Sequence, residues 1–465
     1  MEINQDMVQL KKTSLFCNDS PDGCLLYNNV SGEIYVIKDH TSKSLENNTI
    51  ELINHDDIKL YNEIFAQNLN EDPCVKFPQA VNFEQLYLII TEKCNLACKY
   101  CRQNSSSSGH TMDETEIKDA IELFLSLSQN PQSMVLYGGE VLLYPDLTIM
   151  AIDFIRSQVP NIPVTIITNG MLLDEKIASE LYKRDVFVIF SIDGPGEYHD
   201  IARVTRNGQG SYFEAIKGYY NYRNKGGRLG ISCTIGPHTA SNLDEIKDWI
   251  MDLKPLSVGF GLPHGDLNNY AFQIENFQAL YRKIFHISDV LGQQGISVVH
   301  VEKKIRDYYL NNLNLFECHA CSKRLVICPG YKYGVCEGAV TDQQNFYTNI
   351  QIARKKAVEW QAVSPYRNVK CEGCISKRVC GGGCPYDKIL RFGDINCLDT
   401  SKCLFQKMLA DFAFKKATKI LLPLIPNNRK IIKVDDKMRE KLVSKIVMSK
   451  TSNIPLLFNS NLAIN

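Results

Sequence analysis

No stretch of this 465-residue chain stays apolar long enough to cross a bilayer. The longest apolar runs, around Val186–Ile192 and Ile420–Ile425, fall far short of the roughly 20 residues a spanning helix requires. Net charge is also lacking, because lysine plus arginine and aspartate plus glutamate both number 52. No overall field therefore draws the protein to nucleic acid or to an anionic membrane. Met1–Ser14 is polar and has no apolar core of the kind a secretory signal carries, so the expectation is a cytoplasmic protein. Internal repeats and low-complexity blocks are absent as well. Hydrophobic content of 44% with 22% charged residues describes an ordinary globular protein, and the length implies two or three domains.

Cysteine, by contrast, is abundant. In a reducing compartment the 17 cysteines are metal ligands or catalytic groups before they are disulfides. Their distribution agrees: three lie at 94–101, four at 318–336 and six at 371–403. Cys17, Cys24, Cys74 and Cys233 are left over and read as small core residues, with Cys17 and Cys24 as paired core thiols flanking a hairpin.

The first group is itself defined by something missing. Cys94, Cys98 and Cys101 stand at C-x3-C-x2-C directly after the apolar run Leu86–Ile90. Three thiolates are one short of the four that close a cubane iron–sulfur cluster or a structural zinc site. Either one iron keeps an open coordination position, or the site is a zinc knuckle completed by His110, or the thiols meet no metal.

Taken in order, the chain begins with short strands at Thr13–Cys17, Gly23–Tyr27 and Glu33–Ile37, followed by a helix at Asp56–Gln67. From Leu86 the pattern becomes a regular alternation. Strand-like runs at Leu86–Thr91, Ser133–Tyr137, Val164–Thr168, Val186–Ile192, Leu229–Ile235 and Ser257–Leu262 are separated by amphipathic helices. The first of these helices carries a capping-box signature at Thr111 and Glu114. Six such units predict an α/β fold, a parallel barrel or partial (β/α)6 TIM-like barrel, with chemistry at the carboxyl ends of the strands. Cys94, Gly138-Gly139-Glu140, Thr168-Asn169-Gly170 and Ser191-Ile192-Asp193-Gly194 all fall there. After the helix Asn276–Gly295 the periodicity fades past Val301, and residues 318–403 are rich in cysteine and glycine, a segment that depends on metal for its fold. The tail from Leu404 reads as a solvated helical extension. The expected divisions are an N-terminal module at 1–80, the barrel at 81–305, the cysteine-rich domain at 306–410 and the extension at 411–465.

From about Leu86 to Cys403 this order of motifs resembles a radical S-adenosylmethionine (SAM) enzyme with a SPASM-type domain carrying auxiliary clusters. The resemblance implies that Cys94, Cys98 and Cys101 hold a [4Fe–4S] cluster whose open iron chelates SAM, with Tyr100 near the adenine. It implies further SAM contacts from Gly138, Gly139 and Glu140, where Val141 replaces the usual proline, and from Asn169, Ser191, Asp193 and Arg203. Ser191 and Arg203 are the candidates for the SAM carboxylate, which a guanidinium suits. In the SPASM pattern Cys371, Cys374, Cys380 and Cys403 would hold a second [4Fe–4S] cluster. Cys384 would join Cys321, Cys336 and Cys318 at a third. Cys328 competes with Cys318, and Cys397 with Cys403. Two zinc ribbons are the rival, since C-x2-C pairs also suit zinc.

The family's activity is hydrogen abstraction by a 5′-deoxyadenosyl radical, fed by a reductant such as flavodoxin or ferredoxin. Members with a full SPASM domain mostly modify peptides or proteins, and the module at 1–80 is the size of a leader-recognition unit. Three readings follow: a maturase joining residues of a ribosomal precursor peptide by a thioether or carbon–carbon bond, a sulfatase-maturase-like enzyme forming formylglycine, or a non-catalytic zinc or electron-transfer protein. Glu337 follows Cys336 where sulfatase maturases place an aspartate base, and is the candidate catalytic base; a plain surface glutamate is its alternative.

Overall fold

The computed structural model describes residues 7–9, 14–47, 52, 54–66, 75–101, 108–263, 276–340 and 342–446. Strands β1 (Met7–Gln9), β2 (Leu15–Ser20), β3 (Gly23–Asn28) and β4 (Ile34–Lys38) form an antiparallel meander. Side chains alternate across it with the period of a strand. Leu15, Cys17, Cys24 and Leu26 face a small core with Leu45 and Ile64, while Phe16, Leu25 and Tyr27 face the main core. Cys17 and Cys24 are both fully buried there, as expected of core thiols. Cys74 lies outside the described residues.

Six parallel strands follow in sequential order: β5 (Gln85–Thr91), β6 (Ser133–Gly138), β7 (Val164–Thr168), β8 (Phe187–Ser191), β9 (Leu229–Thr234) and β10 (Ser257–Gly261). They coincide with the six expected runs. Leu86–Ile90 have no measurable exposure, which explains an unbroken apolar run where a half-exposed strand would alternate. Each such side chain contributes roughly 1.5–3 kcal/mol relative to exposure. The sheet reaches nine strands because β11 (Ser297–Val298) adds beside β10, β12 (Arg324–Cys328) adds parallel beside β5, and β13 (Lys332–Gly334) pairs antiparallel with β12. β11 and β13 are its free ends among the described residues, so the barrel is partial and open.

Four details depart from the sequence expectations. The first helix, Glu114–Leu127, is capped by Asp113, whose side chain accepts from the Glu116 N–H. Thr111 instead shares a 2.8 Å hydrogen bond with Thr91 at the end of β5. Order does not fade after Val301: Val299–Tyr309 is helical and β12 belongs to the central sheet. The tail is not a solvated extension. Helix Thr400–Leu421 runs through the expected boundary at 410 and buries Phe405, Leu409, Ala413 and Phe414; the Phe414 ring lies 4.7 Å from that of Tyr27. Beyond it β14 (Ile431–Lys433) pairs antiparallel with β4, so the N-terminal sheet draws on both ends of the chain. No helix of the described residues is long and apolar enough to cross a membrane.

Candidate active site

The cysteine loop at 94–101 leaves the carboxyl end of β5 and is pinned on two sides. On one side the Gly139 N–H donates to the Thr91 carbonyl and the Glu140 N–H to the Lys93 carbonyl, each at 2.8 Å. On the other, the Ala97 N–H donates to the Val204 carbonyl at 2.8 Å, Lys99 N–H to Ala202 at 3.0 Å, and the Arg206 Nε–H to the Cys94 carbonyl at 3.0 Å. The glycines of the G-G-E motif serve this close approach. A Cβ on Gly139 would sit 2.0 Å from the Lys93 carbonyl oxygen, and Gly138 holds φ of 144°. The sequence reading assigned these glycines to approach of a ligand; the structure shows them letting two loops touch.

The three cysteines open onto a cavity of about 1110 Å3 including its mouth, at the carboxyl ends of β5 to β10. Tyr100, Gly138, Gly139, Glu140, Asn169, Ser191 and Arg203 all line it, together with Glu337 and Gly338 from the cysteine-rich region. Glu140 is buried, which pushes its carboxyl up, against three donors that favour the charged form. Thr168 Oγ donates at 2.7 Å, the Asn169 N–H at 2.8 Å and the Leu142 N–H at 3.0 Å. Asn169 Nδ2 donates to Asn95 Oδ1 at 2.8 Å, beside Cys94.

Asp193 is placed differently from the sequence expectation. It has no exposure and does not line the cavity. Its carboxylate accepts from Arg203 Nη2 and lies 3.0 Å from Arg203 Nε, and it also takes the Tyr100 hydroxyl at 2.5 Å and the Thr234 N–H at 2.8 Å. Asp193 therefore stands one layer back and fixes Arg203, whose guanidinium lies 5.3 Å from the Tyr100 ring centre. His199 continues the brace. Its Nδ1 accepts from the Asp193 N–H at 3.4 Å, its Nε2 meets Ser211 Oγ at 2.9 Å, and that hydroxyl donates to the Arg203 carbonyl at 2.7 Å. Burial, with Arg203 adding to it, brings His199 down to about 4 and keeps it neutral.

The ten remaining clustered cysteines sort by their surroundings. Cys321 has Cys318 and Cys384 as its electrostatic neighbours, and Cys336 has Cys318. Cys403 has Cys374 and Cys371, and Cys380 has Cys374. The competitors stand apart. Cys328 is buried near Glu92 and Lys332, and Cys397 donates to Asp394 at 3.7 Å. Burial raises Cys94 and Cys380 to about 12, and Cys98 and Cys403 to about 11, so bound metal would have to displace protons.

Spacing tests which metal group these residues fit. Tetrahedral zinc at 2.3 Å from each sulfur would hold thiolates about 3.8 Å apart. Among the described residues the only three ligand atoms within 4.8 Å of one another are those of Cys17, Asp19 and Cys24. No three sulfurs of the other cysteine sets meet that spacing among the described residues.

Glu337 is not at the surface. It is 3% exposed and ion-paired with Arg324, which is 1% exposed. Arg324 also donates through Nε to Gln85 Oε1 at 3.1 Å and lies 4.4 Å from the Tyr87 ring centre. Sequence reasoning missed Arg324; its signal was the apolar run Leu325–Cys328 that makes β12.

Comparison with known proteins agrees with this geometry. Residues 88–250 match the family described as the Radical SAM superfamily. An uncharacterized protein of Methanocaldococcus jannaschii, MJ0907, is 29% identical over 56% of this chain and 90% of its own length. The radical SAM cyclopropyl synthase TigE of Paramaledivibacter caminithermalis is 22% identical over 88% of both chains. A cysteine-type anaerobic sulfatase-maturating enzyme of Clostridium perfringens is 21% identical over 63% of this chain and 85% of its own. Among solved structures, native anSMEcpe with bound AdoMet and Cp18Cys peptide superposes with a TM-score of 0.62 at 18% identity, covering 73% of this chain and 99% of that one. Residues 88–250 therefore form a radical SAM domain, and that domain implies a [4Fe–4S] cluster and SAM.

Proposed function

We propose that this protein is a maturase of a ribosomally made peptide, closing a thioether or carbon–carbon cross-link. The observation that carries the reading is the composition of the cavity wall. The radical SAM motifs and Glu337 and Gly338 of the cysteine-rich region face one space, so a peptide entering it touches both. Cys94, Cys98 and Cys101 would hold the first cluster, and Glu140, Asn169, Ser191 and Arg203 would orient SAM. With SAM bound, that cluster supplies a 5′-deoxyadenosyl radical able to take hydrogen from an unactivated carbon. Cys318, Cys321, Cys336 and Cys384 would hold one auxiliary cluster, and Cys371, Cys374, Cys380 and Cys403 the other. The similarity to the cyclopropyl synthase TigE over 88% of both chains supports formation of a carbon–carbon bond, and the likeness to native anSMEcpe with bound Cp18Cys peptide supports a peptide substrate. A cellular reductant of the flavodoxin or ferredoxin kind completes the system.

Glu337 would take the proton released from the substrate. Its position in the cavity wall, one residue after Cys336, also favours a second reading, formylglycine formation on a sulfatase. Both readings are tested on one product. Incubation with a candidate ribosomal precursor peptide should give a species lacking two hydrogens that does not react with an aldehyde reagent. An aldehyde formed on a sulfatase peptide supports the second reading, and no change in either substrate removes both.

A further inference from the structure

Two buried lysines beside the clustered cysteines differ in their partners. Lys304 is paired in the ordinary way: its ammonium meets the Glu317 carboxylate and donates to the Val379 carbonyl at 2.7 Å and the Cys380 carbonyl at 3.2 Å. Lys388 is not. It lies in helix Pro385–Phe392, one turn after Cys384, and is only 4% exposed. Among the described residues no carboxylate lies within 4 Å of its ammonium, and no hydrogen-bond acceptor is found for it. A largely buried lysine without a counter-charge is costly to desolvate and is rarely kept.

Two carboxylates share a cavity wall with Lys388, Glu317 and Asp399, but they are ion-paired with Lys304 and Arg391, so the charge left to meet Lys388 comes from the cysteine sulfurs. Lys388 lines a cavity with Cys371, Cys380, Cys403 and Cys384, a wall it shares with Lys402. Its field reaches Cys321 on one side and Cys371 on the other, favouring the thiolate at both. It thus stands between the two sets of cysteines. Four thiolates around a [4Fe–4S] core in its oxidised, doubly positive form leave a net charge of minus two, and reduction by one electron makes that minus three. A fixed cation in a low-dielectric site stabilises the more negative form.

We propose that Lys388, assisted by Lys402, is the counter-charge of both auxiliary clusters and holds their reduction potentials up. This rests on the reading of the two cysteine sets as cluster ligands. Lys388 is a positioning residue for charge and touches no substrate. Its charge makes both clusters easier to reduce than the same ligands would be in a neutral cavity.

The test uses the full chain carrying Cys94→Ala, Cys98→Ala and Cys101→Ala, so that the auxiliary clusters alone report. After anaerobic reconstitution, iron is counted and the clusters are titrated potentiometrically with EPR detection. In this background Lys388→Gln should bind about eight irons and show at least a tenfold lower equilibrium constant for reduction, about 59 mV for a one-electron couple. Lys388→Arg should restore most of that shift, and Lys402→Gln should give a smaller one in the same direction. If Lys388→Gln fails to take up iron while Lys388→Arg does, the counter-charge role stands. If both fail, the direction of the Lys402→Gln shift decides: an unmoved potential overturns the proposal. An unmoved potential in a fully loaded Lys388→Gln protein also overturns it. Zinc, or far fewer than eight irons, in the lysine-intact background overturns the cluster reading itself, which is a distinct failure.

Discussion

Gly139→Ala isolates the idea that the G-G-E turn exists to press one loop against another. The added Cβ would stand 2.0 Å from the Lys93 carbonyl oxygen and 2.4 Å from its carbon, where ordinary contact begins at 3.4 Å. The obstacle is backbone and cannot swing aside, so the segment before Cys94 must retreat by more than an ångström. That retreat breaks the two 2.8 Å hydrogen bonds joining Thr91 and Lys93 to Gly139 and Glu140. At about 1 kcal/mol each, roughly 2 kcal/mol of local stability is lost. Displacement of about 1 Å at a reacting centre costs on the order of a hundredfold in rate. Iron should fall from about twelve to about eight per chain on anaerobic reconstitution, with SAM cleavage reduced at least a hundredfold. Gly292→Ala is the control, since a Cβ there meets nothing closer than Glu302 Oε1 at 3.9 Å. Full iron and unimpaired cleavage in Gly139→Ala would refute the argument.

Other expectations follow from the same structure. Glu337→Gln strips the buried Arg324 of its partner and should destabilise the protein by about 3–5 kcal/mol in chemical denaturation, while Arg324→Met with Glu337→Met should recover most of that loss; equal instability of the single and double variants would contradict the pairing. Cys384→Ala should lose iron, whereas Cys328→Ala and Cys397→Ala should each keep about twelve; loss of iron in either of the last two would reverse the ligand assignment. Burial holds His199 at about 4, below the unfolded value, so the unfolded chain binds its proton first. The stability His199 contributes is present above pH 6.5 and is lost as pH falls from there to about 4, roughly 3 kcal/mol in all. The His199→Gln variant should flatten the pH dependence over that window, and an unchanged slope would refute the assignment.

What was legible in the sequence was whatever one strand or one helix decides locally. The strands β5 to β10 are buried on both faces and so read as unbroken apolar runs, and the motifs at their carboxyl ends could be placed from those runs alone. Long-range pairing was not legible. Ile431–Lys433 is too short to announce a strand, and its partner in β4 lies some 400 residues away. Arg324 was not singled out because its compensation, Glu337 and the Tyr87 ring, arrives from elsewhere in the chain. Asp193 is the same case in reverse. A carboxylate in a cofactor-binding segment reads as a ligand contact until Arg203, Tyr100 and Thr234 are seen to occupy it. Thr111 misled for a plainer reason, since Asp113 lies two residues nearer the helix and caps it better.

The central claim is that Cys94, Cys98 and Cys101 leave one iron open for SAM beside two closed auxiliary sites. Anaerobic reconstitution, followed by SAM and dithionite and chromatography for 5′-deoxyadenosine, tests it most directly. The account predicts about twelve irons per chain and 5′-deoxyadenosine that disappears in the Cys94→Ala, Cys98→Ala, Cys101→Ala variant while about eight irons remain. Bound zinc in place of iron, with SAM left intact, would contradict it.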